Sequence, residues 1–585
     1  MRVEVIETGI IPVIEEELQV FEDEVKAFRA GVREEIPFQQ YRLREGTYGQ
    51  RQEDSQMVRV KIPAGMVTGH QLDALGDIAQ QYTPLGKGHI TTRENIQYHH
   101  MKLEEAAEAK WRLAQVGLTS REACGNTVRN VITCPMGGIC KNEVFDVTPY
   151  LAAYCRYFVR KPFAQNMPRK WKTSFSPCAS DCAVAPMHDL GFVAAIKDGK
   201  KGFRMYVGGG TSIMPREAPV LYEFVPVEEF LRVSEAALRV FNASDELRKN
   251  RMMARVKVLV DRIGMDAFRE KVEAELKQEW AKEPINPEDY WLPEYEEVPP
   301  ALESPNGHYP GNGDAGFLAW RLTNAKPQRQ AGYYAAYTKV PSGDLSADQF
   351  YALARLTRQY GNGVIRLDFE QNLVFRWVSG DNLYPLWNEL REVGLGEAGV
   401  HEITDVVTCP GTDSCKLGIT ASMGAGRALR GTLIEMDTQD PLIKGMHVKV
   451  SGCPNGCGRH HLASIGFQGA AIKGDGGNQV PSYEVYVGGY FEDGDDFQYA
   501  RRVTTKVPAK RAPEAMQRII GFYEKERQEN EAFHKFVNRV GPKAFEPILE
   551  DLKGAGPVAE NMDLYQDWER VGMYVLERGE GECAV

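Results

Sequence analysis

The chain contains itself twice, and that duplication limits its folds more than any other feature. Cys134-x5-Cys140, 37 intervening residues and Cys178-x3-Cys182 recur as Cys409-x5-Cys415, 37 residues and Cys453-x3-Cys457. The flanks repeat as well. VRVKIPAGMVTGHQLDALGDIAQQY (58–82) matches AAYTKVPSGDLSADQFYALARLTRQY (335–360), and GHITTRENIQYHH (88–100) matches GVIRLDFEQNLVFRW (363–377). MYVGGG (205–210) matches VYVGGY (485–490), and DRIGMDAF (261–268) matches NRVGPKAF (538–545). The offset stays near 275 residues, far beyond the ~20–50 residues of solenoid repeats. Two like halves related by a pseudo-twofold are expected.

Each half reads as strand, helix, strand, helix. Residues 56–62 alternate like a strand, and 70–82 place Leu72, Leu75, Ile78, Ala79 and Tyr82 at helical spacing behind Thr68 as N-cap. A strand over 88–99 and a helix over 103–116 follow. The second half repeats the order at 332–340, 345–360, 362–376 and 381–393. This implies an α+β fold with mixed or antiparallel sheets. Residues 278–315, rich in Pro, Gly and acids, read as an irregular connector. The first ~50 residues read as a charged arm without strong period.

Four thiolates on two Gly/Pro-rich loops suit an iron–sulfur cluster, because soft iron favours sulfur and glycines let the backbone approach inorganic sulfide. A zinc site and buried structural thiols are the alternatives; the x5 spacing is long for a zinc hairpin of C-x2–4-C. Cys124, Cys155 and Cys583 have no partner pattern and read as free thiols.

The cysteine motifs, the long duplication and the basic motifs TTRENIQ, NTVRNVITC and MPRKWKTSF resemble the sirohaem-dependent sulfite and nitrite reductases over about residues 40–550. The resemblance implies a [4Fe–4S] cluster on Cys409, Cys415, Cys453 and Cys457, with Cys457 also axial to the sirohaem iron. It implies duplicated ferredoxin-like half-domains at 51–120 and 331–400 and mixed-sheet sirohaem/cluster domains at 121–277 and 401–555. An arm (1–50), a connector (278–330) and a tail (556–585) complete the chain. The usual single-chain assimilatory members lack a first-half quartet, so this chain departs from them. Cys134, Cys140, Cys178 and Cys182 hold either a second cluster, with or without a second tetrapyrrole, or are buried relics of duplication.

Reducing a small oxyanion removes oxygens as water, so cations beside an open iron face can bind the anion and relay protons. By similarity to the family motifs, Arg93, Arg129, Lys170 and Lys172 are the distal anion-binding residues; solvated surface charge is the alternative for each. Arg93 is expected on a strand, and Lys170 and Lys172 on one strand face with Trp171 opposite. Sirohaem carries eight carboxylates and needs cations; Arg169, Gln97, Arg251, Arg255, Lys257 and Asn455 are candidates for contacting it. Arg251, Arg255 and Lys257 equally suit an exposed helix face, and Asn455 a turn cap. In the second half Arg129 is replaced by Thr404, Lys172 by His447 and Arg93 by Glu370. The working pocket therefore combines cysteines of the second half with cations of the first. YVGGG (206–210) lacks a nucleotide-loop pattern and reads as a tight turn; Tyr48 reads as a pocket-entrance or arm residue.

Within the family, Lys at position 172 leans toward sulfite, since nitrite reductases tend to have Asn there. Six-electron reduction of sulfite to sulfide is the first expectation and nitrite to ammonium the second. A non-catalytic iron–sulfur electron-transfer protein and a tetrapyrrole-modifying oxygenase are rivals. With no flavin or nicotinamide domain in the sequence, electrons are expected from ferredoxin or a separate flavoprotein. A net charge of −11 gives no global basic field for nucleic acid. No apolar run reaches the ~20 residues of a membrane span, and the acidic start is unlike a signal peptide. The expected location is the cytoplasm, where eleven cysteines are ligands or free thiols rather than disulfides.

Overall fold

In the computed structural model, residues 9–291, 297–302, 313–492 and 496–582 are described; Cys583 lies outside them. The duplication appears as two pairs of five-stranded sheets. One pair forms the half-domains. In each, a Pro-x-Gly turn with a left-handed central residue (Ala64, φ 56°; Ser342, φ 57°) leads into a three-residue strand. A helix follows at once, Gly69–Tyr82 or Ala347–Tyr360. Thr68 with Gln71 and Ser346 with Gln349 form capping boxes, which satisfy the first amide groups of both helices.

The short strands are exchanged. Met66–Thr68 pairs antiparallel with Val364–Leu367 of the other half, and Asp344–Ser346 pairs with Lys87–Ile90. Leu72, Leu75 and Ile78 share one buried core with Phe350, Leu353 and Leu356. The half-domains are thus one folding unit on a pseudo-twofold.

Two expectations change here. The single strand expected over 88–99 is a hairpin, Lys87–Ile90 and Ile96–Met101, and the second-half stretch splits likewise into Val364–Leu367 and Leu373–Ser379. The turns are held by side chains: Thr91 Oγ1 accepts from the amides of Arg93 and Asn95, and Asp368 Oδ1 from those of Glu370 and Asn372. Such turns leave the apolar alternation unbroken on either side. Arg93 therefore sits on a turn, not on a strand. The supposed arm is ordered as helices Glu15–Arg29 and Glu35–Arg44 and a strand Thr47–Gly49 that joins the first sheet. Phe21, Val25 and Phe38 bury against Leu103 and Ala107.

The second pair of sheets builds the cysteine loops. Val128–Thr133, Trp171–Ser176 and Leu190–Lys197 run parallel, then Lys200–Val207 and Val220–Pro226 return antiparallel. Val407–Thr408, Val448–Ser451, Ile465–Lys473, Gln479–Val487 and Arg501–Pro508 repeat that order. Each C-x5-C and C-x3-C loop leaves the carboxyl end of one of two adjacent parallel strands. Strands ~4.8 Å apart therefore bring the four sulfurs of a half to one place.

Candidate functional site

In the second half, backbone amides surround the sulfurs. Gly452 N donates to Cys409 Sγ at 3.3 Å, Leu417 and Gly418 direct their N–H groups at Cys415, and Asn455 directs its own at Cys453. Burial and the neighbouring thiols push Cys409 up to about 11. Four sulfurs crowded this way repel as thiolates unless a cationic centre lies among them. The donor set, four cysteine sulfurs on two loops of which one is C-x5-C, fits an iron–sulfur cluster, the x5 loop being long for a zinc hairpin. Cys457 is the exposed member.

The first half meets Cys457 directly. Thr92 Oγ1 donates to the Cys457 carbonyl at 2.9 Å, and Arg459 donates to the Thr92 carbonyl. The turn carrying Arg93 is thereby held against the C-x3-C loop. Arg93 Nη1 reaches the carbonyls of Asn130 (3.3 Å) and Thr173 (3.5 Å), while its buried Nε has no partner among the described residues. Lys170 and Lys172 flank the buried Trp171 at the start of the strand Trp171–Ser176. Burial, then Arg169 and Arg129, push the Lys170 ammonium down to about 7, while Cys457 opposes the shift. Burial, then Arg93, Lys170 and Arg255, push Lys172 well below the usual lysine range, again opposed by Cys457. Two lysines, Arg93 and the exposed cysteine thus share one electrostatic site, where an anion would relieve the repulsion.

The other candidates fall in varied places. Arg129 donates to the carbonyls of Ala123 (3.1 Å) and Gly125 (2.9 and 2.7 Å), so it organises the turn before its strand while its charge reaches Lys170. Arg255 forms a two-pronged pair with Asp189 (2.8 and 2.6 Å), and Asp189 also accepts from the Lys172 amide at 2.8 Å. Lys257 donates to the carbonyls of Thr211 (2.6 Å) and Met214, which shapes the loop after YVGGG. Arg251 opens the short turn Arg251–Met253. Arg169 lies beside Lys170. Gln97 faces Arg59 across the sheet, its oxygen 2.8 Å from Arg59 Nε once its amide is correctly oriented. Asn455 contributes its amide to Cys453. Tyr48 accepts from the Glu582 amide at 2.9 Å and so anchors the tail. Cys124 and Cys155 are buried free thiols. In the first quartet Cys178 Sγ lies 3.9 Å from Cys182 Sγ, Cys182 also interacts with Cys134, and Cys140 with Cys178.

Three contributors had no separate signal in the sequence. Asp189 positions both Arg255 and the Lys172 strand. Arg459, in a left-handed conformation (φ 58°), ties the two halves together. His188 donates its Nδ1–H to the Val184 carbonyl (2.8 Å), and its buried Nε2, beside Arg93, Arg459 and Lys172, has no hydrogen-bond partner among the described residues. Arg459 stands two residues after Cys457, where the first half has Val184.

In the second half the positions matching the cations are neutralised internally. Glu370 pairs with Lys449, His447 with Glu492 at 2.9 Å, and Thr404 accepts from Lys339 at 2.9 Å.

Comparisons with known proteins agree with this arrangement. The family model described as "Nitrite and sulphite reductase 4Fe-4S domain" matches residues 124–280 and 399–554. The "Nitrite/Sulfite reductase ferredoxin-like half domain" matches 48–116 and 326–393. A chloroplastic ferredoxin–nitrite reductase of Arabidopsis thaliana is 30% identical over 81% of this chain and 78% of its own length. The assimilatory ferredoxin-dependent nitrite reductase of Haloferax mediterranei is 28% identical over 93% of this chain and 94% of its own. The solved structure of the Mycobacterium tuberculosis NirA protein superimposes with a TM-score of 0.75 at 25% identity, covering 90% of this chain and 95% of that one. With both domain types matched in both halves, the chain belongs to the family of sirohaem- and [4Fe–4S]-dependent nitrite and sulfite reductases.

Proposed function

We propose that the chain reduces nitrite to ammonium, a six-electron reaction fed one electron at a time by a ferredoxin. The observation that carries an oxyanion reductase is the juxtaposition of Lys170, Lys172 and Arg93 with Cys457 across the two halves. The choice of nitrite is supported by relatives named ferredoxin–nitrite reductases. This reverses the order expected from Lys172 alone.

Cys409, Cys415, Cys453 and Cys457 would hold the cluster, with Cys457 shared with the sirohaem iron. When bound, the cluster and sirohaem would supply the electrons for the reduction. The chain's own groups do the rest. Lys170 and Lys172 attract the anion and, with proton affinities lowered by their surroundings, give up protons readily as oxygen leaves. Arg93, held by two backbone carbonyls, keeps Nε for an oxyanion. Asp189 fixes the strand that carries Lys172 and, through Arg255, balances the local positive charge. Arg169, beside Lys170, and Asn455, in the loop between Cys453 and Cys457, are candidates to contact the macrocycle carboxylates.

Sulfite to sulfide is the second reading, favoured by Lys172, whose amine offers a further proton donor where a third oxygen must leave. Turnover of both anions by the purified holoenzyme with a reduced viologen dye decides between them. Nitrite is expected to exceed sulfite in kcat/KM by about tenfold or more; the reverse order would reject the proposal. Among the described residues no helix is long and apolar enough to cross a membrane.

A further inference from the structure

We propose that Cys134, Cys140, Cys178 and Cys182 hold a second iron–sulfur cluster, without a tetrapyrrole beside it. The reason is the fidelity with which the first-half loops reproduce the second-half loops. Ser180 directs its amide at Cys178 where Asn455 does so at Cys453, at the same offset. Asn142 and Glu143 direct theirs at Cys140 (3.4 Å from Asn142 N) where Leu417 and Gly418 do so at Cys415. Asp181 N donates to the Cys178 carbonyl (3.1 Å) as Gly456 N does to that of Cys453 (3.4 Å). Ser176 Oγ accepts from Ala183 N (3.2 Å) as Ser451 Oγ does from Gly458 N (3.1 Å). The Ser180, Asn142 and Glu143 N–H groups face sulfur, and amide donors to sulfur are what stabilises thiolates on a cluster.

The backbone conformations match too, and at a cost. Asp181 (φ 53°) and Val184 (φ 53°) stand where the second half has Gly456 (φ 66°) and Arg459 (φ 58°). A left-handed β-branched residue is strained, and a loop without a ligand to fold around has little to offset that strain. Cation placement adds a separate observation. Arg376 donates to the carbonyls of Pro135 and Gly137 (2.8 Å for the latter) and pairs with Glu297 at 2.7 Å, so that one carboxylate serves two buried guanidiniums. Arg366 lies against Gly137, is 1% exposed, and donates from Nη2 to Thr148 Oγ1 (3.0 Å) with Glu297 at 3.5 Å, while Nε and Nη1 have no hydrogen-bond partner among the described residues. An anionic thiolate cluster would compensate that buried charge. Tyr333, Tyr337, Trp377 and Val374 of the other half pack with Cys134, Cys140 and Cys182.

Two residues past Cys182, Val184 packs into an apolar cluster with an internally paired charge beside it, a lining unsuited to a carboxylate-rich tetrapyrrole. Phe369 and Phe491 lie 5.8 Å apart in a cluster with Val184, Met187 and Leu462, and the Glu370–Lys449 pair is buried beside them.

The test is iron, zinc and acid-labile sulfide per chain in holoenzyme purified without oxygen. About nine irons and about eight sulfides are expected, one sirohaem and two cubanes. The variant Cys178→Ser/Cys182→Ser should fall to about five and four while retaining the sirohaem absorption bands. About five irons in the wild-type chain would overturn the proposal, as would about five irons with one zinc. An unchanged iron content in the double variant would overturn it equally. The wild-type count decides even if the variant fails to fold. Missing sirohaem bands would instead refute the functional reading and leave the sulfide count to report on the quartet.

Discussion

The Glu370–Lys449 pair separates structural from catalytic use of the second-half positions. Its side chains are 6% and 0% exposed, and Lys449 also lies over the Phe491 ring at 5.0 Å. Removing one member leaves the other as a buried, uncompensated charge, which costs about 3–5 kcal/mol, whereas replacing both with apolar groups of similar size is near neutral or stabilising. For a unit of this size each kcal/mol moves the melting temperature by about 2–4 °C. Glu370→Met should therefore lower it by roughly 6–20 °C, and Glu370→Met/Lys449→Met should restore most of that loss. The assay is near-ultraviolet circular dichroism at one fixed scan rate, because a chain of several units unfolds irreversibly and rates matter. Turnover per sirohaem, measured well below the transition, should stay within about twofold in the double variant. A single variant as stable as the parent would refute the buried-charge reasoning. A double variant that is fully stable yet inactive would show that this position belongs to the working pocket.

Two further outcomes follow from other contacts. Burial raises the Asp344 carboxyl, but the hydrogen bond and charge of His89, with Lys87, outweigh it and hold the group at about 2 against an ordinary 3.8. A depressed carboxyl stabilises the fold fully above its unfolded value and loses that contribution as pH falls through its folded value. The stability advantage of the parent over Asp344→Asn should thus shrink between about pH 4 and pH 2, read by tryptophan fluorescence; a constant difference would contradict it. In the tail, Glu582 accepts two bonds from Arg42 (2.9 and 2.7 Å) and one from Gly49 N (2.9 Å), and Gly579 N donates to the carbonyl of Lys416, the residue after Cys415. Glu582→Ala should speed proteolysis of the tail and loss of iron to a chelator by severalfold; unchanged rates would show that the tail does not guard the cluster.

Much of this arrangement is legible in the sequence because it rests on covalent spacing. The cysteine offsets fix which loops meet once two parallel strands lie side by side, and Thr68 announces its helix by a capping pattern. The Thr91 and Asp368 turns were not legible, since their hydrogen bonds are made by ordinary-looking polar residues inside an apolar alternation. The N-terminal helices were hidden for a related reason: Phe21, Val25 and Phe38 are sparse among charges, and their order depends on Leu103 and Ala107 from elsewhere in the chain. The exchanged strands Met66–Thr68 and Asp344–Ser346 are three residues long, too short for any period to show. At the site, residue types named the cations but not their commitments. Arg129 and Lys257 turn to backbone carbonyls and Arg255 to Asp189, contacts made by tertiary geometry alone.

Nitrite affinity, followed through the sirohaem visible band in Lys172→Met and in its pseudo-twofold counterpart His447→Met, tests most directly whether one centre is assembled across the halves. With cluster and sirohaem contents equal to the parent, Lys172→Met is expected to weaken binding by about tenfold or more, the effect of losing one charge-assisted hydrogen bond, and His447→Met by less than about twofold. Equal affinities in the parent and Lys172→Met, or a loss confined to His447→Met, would contradict the account.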